Sequence, residues 1–214
     1  DGSAVELVSY WRKYMKEARS IAPTVVKSGP LLENVHTGKD IDITKIPTPR
    51  WHEHDGGYYI GKANVVSRDP LDPDNFGKQN VGIYRIQPHG PDEFTLMSVP
   101  IHDMGRHMQA AEETGKPLKI AVMLGNHPAM AMFAATPIGY DESEYSYASA
   151  MMGAPIELTT SGNGIDIQAH CEMVIEAEYV HGVRLHEGPF GEFPGSYSGV
   201  RRVPTFRVTG ISHR

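Results

Sequence analysis

The first twenty residues repeat apolar positions with the period of a helix. Ser3 is followed three residues later by Glu6, a capping-box pattern that marks a helix start. The apolar positions after it are Leu7, Trp11, Met15 and Ala18. A spacing of three and four residues places them on one helical face. We therefore predict a helix from about Ala4 to Ser20.

A different pattern begins at Tyr58. Short runs rich in Val, Ile, Tyr, Phe and Thr recur with turn residues between them, which is typical of strands. These runs cover residues 58–68, 81–88, 94–100, 119–125, 155–160, 165–169, 172–180 and 204–212. Several helices packed around a mostly antiparallel β core define an α+β architecture, which is the fold class we expect.

Three helices are predicted between these strands. Asp103 is in position to cap a helix that runs to Thr114, and Gly115 closes it. The run "PAMAMFAAT" (128–136) predicts a short buried helix, and Ser143 is in position to cap a further one. The β segments should therefore be flanked by helices.

The domain organisation follows from where Pro and Gly concentrate. Residues 21–57 hold Pro23, Pro30, Pro47, Pro49, Gly56 and Gly57, which predicts an extended connector. We divide the chain into an N-terminal helix and connector, 1–57, and a main domain, 58–214. The sequence begins without Met and stops at a strand-like run, so we expect it to be a piece of a longer polypeptide, although a processed chain would look similar.

Composition narrows the class of protein. The 214 residues are 40% hydrophobic and 21% charged, as in ordinary globular proteins, and the net charge is −6. That balance argues against general binding to nucleic acid or to a membrane surface. No apolar run reaches eighteen residues. A single cysteine, Cys171, favours a reducing cytoplasm and is expected to be a buried, inert thiol.

The stretch "HEGPFGEFPG" (186–195) places two acids five residues apart on a stiff turn. One interpretation is a tight turn whose acids, Glu187 and Glu192, are simply exposed. The other is a preorganised carboxylate pair for proton transfer, with pKa values separated by burial and by a nearby cation. Arg85, inside the strand "VGIYRIQ", is the candidate cation. It is costly to bury unless it is paired, although it could also reach the sheet edge.

A second group of side chains is suited to a metal. Asn80, His102 and Glu142 form a mixed nitrogen and oxygen set that suits Mn²⁺ or Mg²⁺ with positions left for a phosphate. Each also has an ordinary structural interpretation, since His102 stands between a strand and a helix. Glu142 and Glu144 precede a helix, where acids are favoured by the helix dipole. Strand parity places Asn80 and Arg85 on opposite faces.

Several stretches together carry a family resemblance. They are "DGGYYIGKANVVSRDPLDPDNFGKQNVGIYRIQ", "VPIHD", "YDESEY", "EGPFGEFPGSYSG" and "VTGISHR". In this order they resemble the UbiD family of prenylated-FMN-dependent decarboxylases, and most closely its phenolic-acid branch, the hydroxybenzoate, vanillate and gallate decarboxylase large subunits. The resemblance runs from about Trp51 to Arg214, with a looser match through residues 1–50.

The resemblance implies a fold and a site. The fold is an antiparallel split β-barrel like that of flavin reductases, with flanking helices, which binds prenylated FMN. The implied catalytic network is Arg85, Glu187 and Glu192. The implied metal ligands are Asn80, His102 and Glu142, which hold Mn²⁺ (or Mg²⁺) and the cofactor phosphate. The implied cofactor contacts further include Ile83, Tyr84 and Arg85, and a K⁺ ion is implied close to Ala135 and Thr136.

The implied function is reversible non-oxidative decarboxylation of an aromatic acid, phenolic or heteroaromatic, with release of CO₂. Glu192 would then deliver a proton to the ring carbon, and Arg85 would orient the substrate carboxylate. The family further implies a homo-oligomeric full-length protein, a C-terminal domain absent here, and a flavin prenyltransferase that supplies the cofactor. Two alternatives stay open: a non-catalytic flavin-binding or assembly module, and a two-carboxylate glycoside hydrolase, which would not need Arg85.

Overall fold

The computed structural model describes residues 2–17 and 19–214. Its first helix, α1 (Ala4–Glu17), begins as the sequence predicts. The backbone N–H of Ser3 donates to the Glu6 carboxylate at 2.6 Å, and the Glu6 N–H donates to the Ser3 hydroxyl at 3.3 Å. The predicted end at Ser20 is wrong, because residues 19 and 20 are not helical. The Ile21 N–H instead donates to the carbonyl of Ser146 at 3.1 Å, which ties the chain to another helix. Ala18 lies outside the described residues.

The other helices and most of the strands lie close to their predicted positions, but two short strands fall in the predicted connector and the strand predicted over 172–180 extends to Glu187. The helices are α2 (Asp103–Thr114), α3 (Pro128–Ala134) and α4 (Glu144–Met152). The strands are β1 (Thr24–Val25), β2 (Asn34–His36), β3 (Ile60–Arg68), β4 (Gln79–Pro88), β5 (Glu93–Leu96), β6 (Lys119–Leu124), β7 (Glu157–Thr160), β8 (Asp166–Gln168), β9 (Met173–Glu187) and β10 (Arg201–His213). No helix in the described part of the chain is long and apolar enough to cross a membrane.

Six of the strands form a closed antiparallel barrel. The order around it is β10, β5, β4, β3, β6 and β9, and the pairing of β9 with β10 closes the ring. The last two strands are the longest, with 15 and 13 residues, and β2 adds to the outside edge of β10. The predicted antiparallel barrel with flanking helices is confirmed.

A small second sheet covers one side of the barrel. In it β1 runs parallel to β7, and β8 is antiparallel to β7. Helices α3 and α4 pack in the same layer, where Phe133 and Tyr145 are fully buried. Helix α1 joins this layer through Trp11, whose ring centroid lies 5.6 Å from that of Phe133. The connector predicted over 21–57 thus contributes strands to both sheets.

Successive side chains of β4 point alternately into two different hydrophobic cores. On β4, Tyr84 and Ile86 belong to the barrel core, whereas Val81 belongs to the layer with α3 and α4. Helix α2 contributes Met104 to the barrel core. Asn80 and Arg85, five positions apart on this strand, therefore point to opposite faces, as an alternating strand requires.

The ends of α2 and α4 differ in detail from the prediction. The N-cap of α2 is His102 rather than Asp103, which is the first residue of the helix, and Gly115 closes it with φ +68°. Ser143 stands at the N-cap of α4, but its hydroxyl makes no capping hydrogen bond within the described residues.

Cys171 is buried as predicted, and burial raises the pKa of its thiol to about 12.

Candidate active site

The structure brings Arg85, Glu187 and Glu192 together. The guanidinium of Arg85 donates twice to Glu187, from Nε to Oε1 at 2.8 Å and from Nη2 to Oε2 at 2.9 Å. Its Nη1 donates to Glu192 Oε1. Two carboxylates more than 100 residues away in sequence thus share one cation. Paired donors of this kind fix the geometry of a carboxylate as well as its charge.

The two acids are buried to different extents. The Glu187 side chain is 1% exposed and that of Arg85 is 13% exposed, whereas that of Glu192 is 39% exposed. Burial works against the charge of Arg85, but the hydrogen bonds and charges of Glu187 and Glu192 outweigh it and raise the Arg85 pKa above its usual value. Glu187 is therefore a fixed counter-ion, while Glu192 faces the open side of the cluster.

A structured loop, residues 188–200, carries Glu192 between β9 and β10. Glu187 itself is the last residue of β9, where it pairs with Arg201. Within the loop, the Ser198 hydroxyl accepts from the Phe190 N–H at 3.0 Å and lies 3.4 Å from Arg85 Nη2. The Phe190 ring packs under the guanidinium, with its centroid 4.9 Å from Cζ. Side chains thus link the loop directly to the cation.

The predicted connector, residues 21–57, packs against the 188–200 loop. The Gly56 N–H donates to the Pro189 carbonyl at 2.7 Å, and a Cβ on Gly56 would lie 2.0 Å from the Gly188 oxygen. The side-chain oxygen of Gln87 accepts from the Gly188 N–H and from the Tyr59 hydroxyl, both at 3.2 Å. Burial, followed by the charge of Glu187, raises the pKa of Tyr59 to about 12.

A cavity of about 600 Å³ lies at the other end of β4. Its lining includes Asn80, His102, Ala135 and Thr136, four of the residues predicted to bind cofactor or metal. Ile83 and Tyr84 line it as well. Asn80 and Arg85 are five positions apart on β4, which is about 17 Å at the usual rise per residue. The cavity lining and the Arg85 cluster are thus both built on β4, at different positions along it.

The edge of β4 is open beside this cavity. Strand β5 pairs with β4 at Ile86 to Pro88, so in the described chain residues 79–85 have a neighbouring strand on one side only. The Val81 N–H points to the open side, where it donates to Glu144 Oε2 at 3.0 Å. Backbone alternation directs the N–H and C=O of Ile83 the same way. These groups are available to a bound molecule.

The two acids before α4 have different surroundings. Glu142 is exposed and is not part of the cavity lining. Its carboxylate instead accepts hydrogen bonds from the Gly139 N–H at 2.8 Å and the Tyr147 hydroxyl at 2.9 Å. Glu144 lines the cavity and is buried. Burial raises the pKa of Glu144 to about 8. Glu144 therefore shares the cavity lining with Asn80 and His102, whereas the predicted ligand Glu142 lies outside that lining.

A chain of two buried side chains, Ser67 and His107, orients the Asn80 amide. Its Nδ2 lies 3.5 Å from the Ser67 hydroxyl, which is 2.9 Å from Nδ1 of the buried His107. Among residues 2–17 and 19–214, no group of three or more His, Cys, Asp and Glu side chains is arranged to hold a metal. The side chains in the cavity lining that could contribute to a metal site include the Asn80 amide, the His102 imidazole and the Glu144 carboxylate.

Comparison with known proteins identifies the family. The family description "3-octaprenyl-4-hydroxybenzoate carboxy-lyase Rift-related domain", UbiD, matches residues 24–214. A phenolic acid decarboxylase of Streptomyces sp. (strain D7) is 46% identical over 200 residues, covering 92% of this chain and 42% of the relative. The chain belongs to the UbiD family.

Solved structures agree with this assignment. Vanillic acid decarboxylase of Sedimentibacter hydroxybenzoicus in its closed form matches with a TM-score of 0.94 and 39% identity, over 100% of this chain and 46% of that one. An evolved dimeric form of the UbiD-class enzyme HmfF from Pelotomaculum thermopropionicum, in complex with prFMN, matches with a TM-score of 0.86 and 33% identity, over 92% and 45%. This chain spans less than half the length of the relatives it matches.

Proposed function

We propose that this chain is the cofactor-binding part of an enzyme that reversibly decarboxylates an aromatic acid, phenolic or heteroaromatic, with prenylated FMN. The observation that carries the proposal is the layout of β4. Arg85 joins Glu187 and Glu192 at one end of the strand, and the cavity with Asn80 and His102 lies at the other. Similarity to decarboxylases and to a prFMN complex supports it.

The residues present fit a flavin mononucleotide. The cavity volume of about 600 Å³ is within the range of small-molecule sites. The 12-residue helix α2 begins at its wall, and helix N-termini favour a phosphate. The open edge of β4 offers Ile83 backbone groups between the phosphate end and Arg85. Prenylated FMN, when bound, supplies an electron sink for the electrons that the departing CO₂ leaves behind.

We further propose that Asn80, His102 and Glu144 hold a divalent cation, Mn²⁺ or Mg²⁺, next to the phosphate. Amide and carboxylate oxygens with an imidazole suit Mn²⁺. Glu144 replaces Glu142 in this proposal, because its carboxylate lines the cavity and that of Glu142 is engaged by Gly139 and Tyr147. A buried carboxyl that is costly to ionise alone is stabilised as an anion by such a cation.

A K⁺ ion is proposed beside Ala135 and Thr136. Both residues line the cavity at the C-terminal end of α3. The last carbonyls of a helix have no partner within it and attract cations. Their backbone oxygens are therefore suitable ligands for a monovalent ion.

The roles of the charged residues follow from their burial. Glu187 holds Arg85 in place and balances its charge, since the pair is almost fully removed from water. Glu192 is less buried, and in the described chain its Oε2 makes no hydrogen bond, so this oxygen can hold the proton that replaces CO₂ on the ring carbon. Arg85 orients the substrate carboxylate and holds the Glu192 carboxyl through its Nη1.

The full-length protein is proposed to be a cytoplasmic homo-oligomer that receives its cofactor from a flavin prenyltransferase. The test uses that protein, loaded with prenylated FMN, on a panel of hydroxybenzoates and heteroaromatic acids. A bound flavin chromophore together with CO₂ release supports the proposal. A protein with no bound flavin that cleaves glycosides would be a hydrolase. Flavin binding without turnover on any acid would identify a non-catalytic module.

A further inference from the structure

Asp55 is a buried acid that the proposed chemistry does not use. The residue is 1% exposed. Its Oδ1 accepts from the Gly191 N–H at 2.7 Å, and its Oδ2 accepts from the His52 N–H at 2.8 Å. Its own carbonyl accepts from Arg50 Nε at 3.1 Å and Nη2 at 2.7 Å. A carboxylate removed from water is costly unless it is hydrogen-bonded, so these contacts fix its position.

The contact with Gly191 reaches the residue next to Glu192. It joins two segments 136 residues apart in sequence. The segments are closely packed, since a Cβ on Gly191 would lie 2.4 Å from Nδ1 of His52. On its other side, the Glu192 N–H donates to the Ser196 carbonyl at 2.8 Å. The main chain of Glu192 is therefore held on both sides.

We propose that Asp55 is a positioning residue, which holds the Gly191 N–H and so places the Glu192 carboxyl against Arg85. This inference rests on the proposed function. The 188–200 loop contains four glycines, which give it conformational freedom unless it is held. A displacement of a catalytic group by about 1 Å can cost about 100-fold in rate. Asp55 removes that freedom without touching the substrate.

A purely structural anchor would predict a different result. If Asp55 only stabilised the fold, its loss would lower the amount of active enzyme but not the turnover of each flavin-loaded molecule. Asn80, next to which the cofactor phosphate would be held, is about 17 Å along β4 from Arg85, so we expect flavin retention to stay unchanged. Turnover per bound flavin therefore separates positioning from stability.

The experiment compares Asp55→Ala, Asp55→Asn and the control Asp42→Ala in the full-length holoenzyme. Asp42 also accepts a backbone N–H, that of Thr44 at 3.0 Å, but outside the 188–200 loop. Asp55→Ala should lower kcat per bound flavin by about 10–100-fold with little change in KM. Asp55→Asn, which keeps one acceptor oxygen, should restore most of it, and Asp42→Ala should match the wild type.

A double-mutant cycle with Glu192→Gln completes the test. If Asp55 acts through Glu192, Asp55→Ala should lower kcat per bound flavin by less than about threefold in the Glu192→Gln background, since the effects of residues that act as a unit are non-additive. If the double variant instead loses the product of the two single losses in kcat, the proposal is overturned. Should Asp55→Ala not fold, Asp55→Ser, whose shorter side chain does not reach the Gly191 N–H in the place of Asp55 Oδ1, enters the same cycle.

A readout without activity separates this inference from the proposed function. Hydrogen exchange of the Gly191 amide should be at least about tenfold faster in Asp55→Ala than in Asp42→Ala, because its acceptor is lost. Unchanged exchange refutes the positioning role. If the Gly191 amide of the wild type is protected from hydrogen exchange but the enzyme decarboxylates no acid, the proposed function is refuted instead.

Discussion

Replacing Arg85 by Met should destabilise the protein far more than an ordinary loss of a salt bridge. The substitution removes both hydrogen bonds to Glu187, which is 1% exposed, and leaves that carboxylate without a cation. Breaking a buried pair in this way costs about 3–5 kcal/mol. The contact with the half-exposed Glu192 should add less than about 1 kcal/mol. For a chain of this size the sum, about 3–6 kcal/mol, corresponds to a decrease in Tm of about 6–24 °C.

The assay is thermal unfolding, with Arg207→Met as the matched control. Arg207 pairs with Asp92 at 3.2 Å on the surface, where the two side chains are 58% and 47% exposed. That variant should lose no more than about 1 kcal/mol. The double variant Arg85→Met, Glu187→Leu should recover most of the stability, because no buried charge is left unpaired. Equal losses in Arg85→Met and Arg207→Met would refute the buried network.

Three further predictions test other parts of the structure. Gly56→Ala should displace the 188–200 loop and lower turnover, whereas Gly199→Ala should not, because its Cβ would meet no atom of the described residues within 4 Å. Steady-state kinetics decides, and equal rates in the two variants would contradict the packing of Gly56. In metal-free protein the pKa of Glu144 is raised by burial from 4.5 to about 8, so stability should fall as pH rises through that window, by at most about 1.4 kcal/mol per unit. The unfolding free energy of Glu144→Gln, measured with urea, should depend less on pH over this range than that of the wild type. The same pH dependence in both proteins would contradict the raised pKa of Glu144. Cys171, buried with a pKa of about 12, should resist iodoacetamide in the folded protein and react after unfolding; rapid labelling of native protein would show that the thiol is exposed.

The barrel could be predicted because its strands carry local signals. Each barrel strand alternates or concentrates apolar residues, and the family resemblance supplies their order. The end of β9 could not be predicted in the same way. The expected strand stops at Val180, whereas β9 continues to Glu187 as an arm paired with β10. Residues 181–184 are exposed on both faces, so no hydrophobic pattern marks them.

The site was predictable to a similar extent. The grouping of Arg85 with Glu187 and Glu192 followed from the family blocks and from the cost of burying an unpaired Arg. The burial of Glu144 did not, because Glu142 and Glu144 both stand near the start of α4 and only the packing of that helix buries one of the two carboxylates. The contact of Asp55 with Gly191 had no local signal either, since it joins segments 136 residues apart.

Glu192 is proposed to transfer the proton that replaces CO₂ on the ring carbon. Proton exchange measures this step alone: the full-length holoenzyme is incubated with the decarboxylated product in deuterated water, and loss of the ring proton is followed by NMR. The wild type should exchange the proton, and Glu192→Gln should retain flavin but exchange about 10²–10⁴-fold more slowly. Exchange at the wild-type rate in flavin-loaded Glu192→Gln would contradict the claim and assign the proton to another residue.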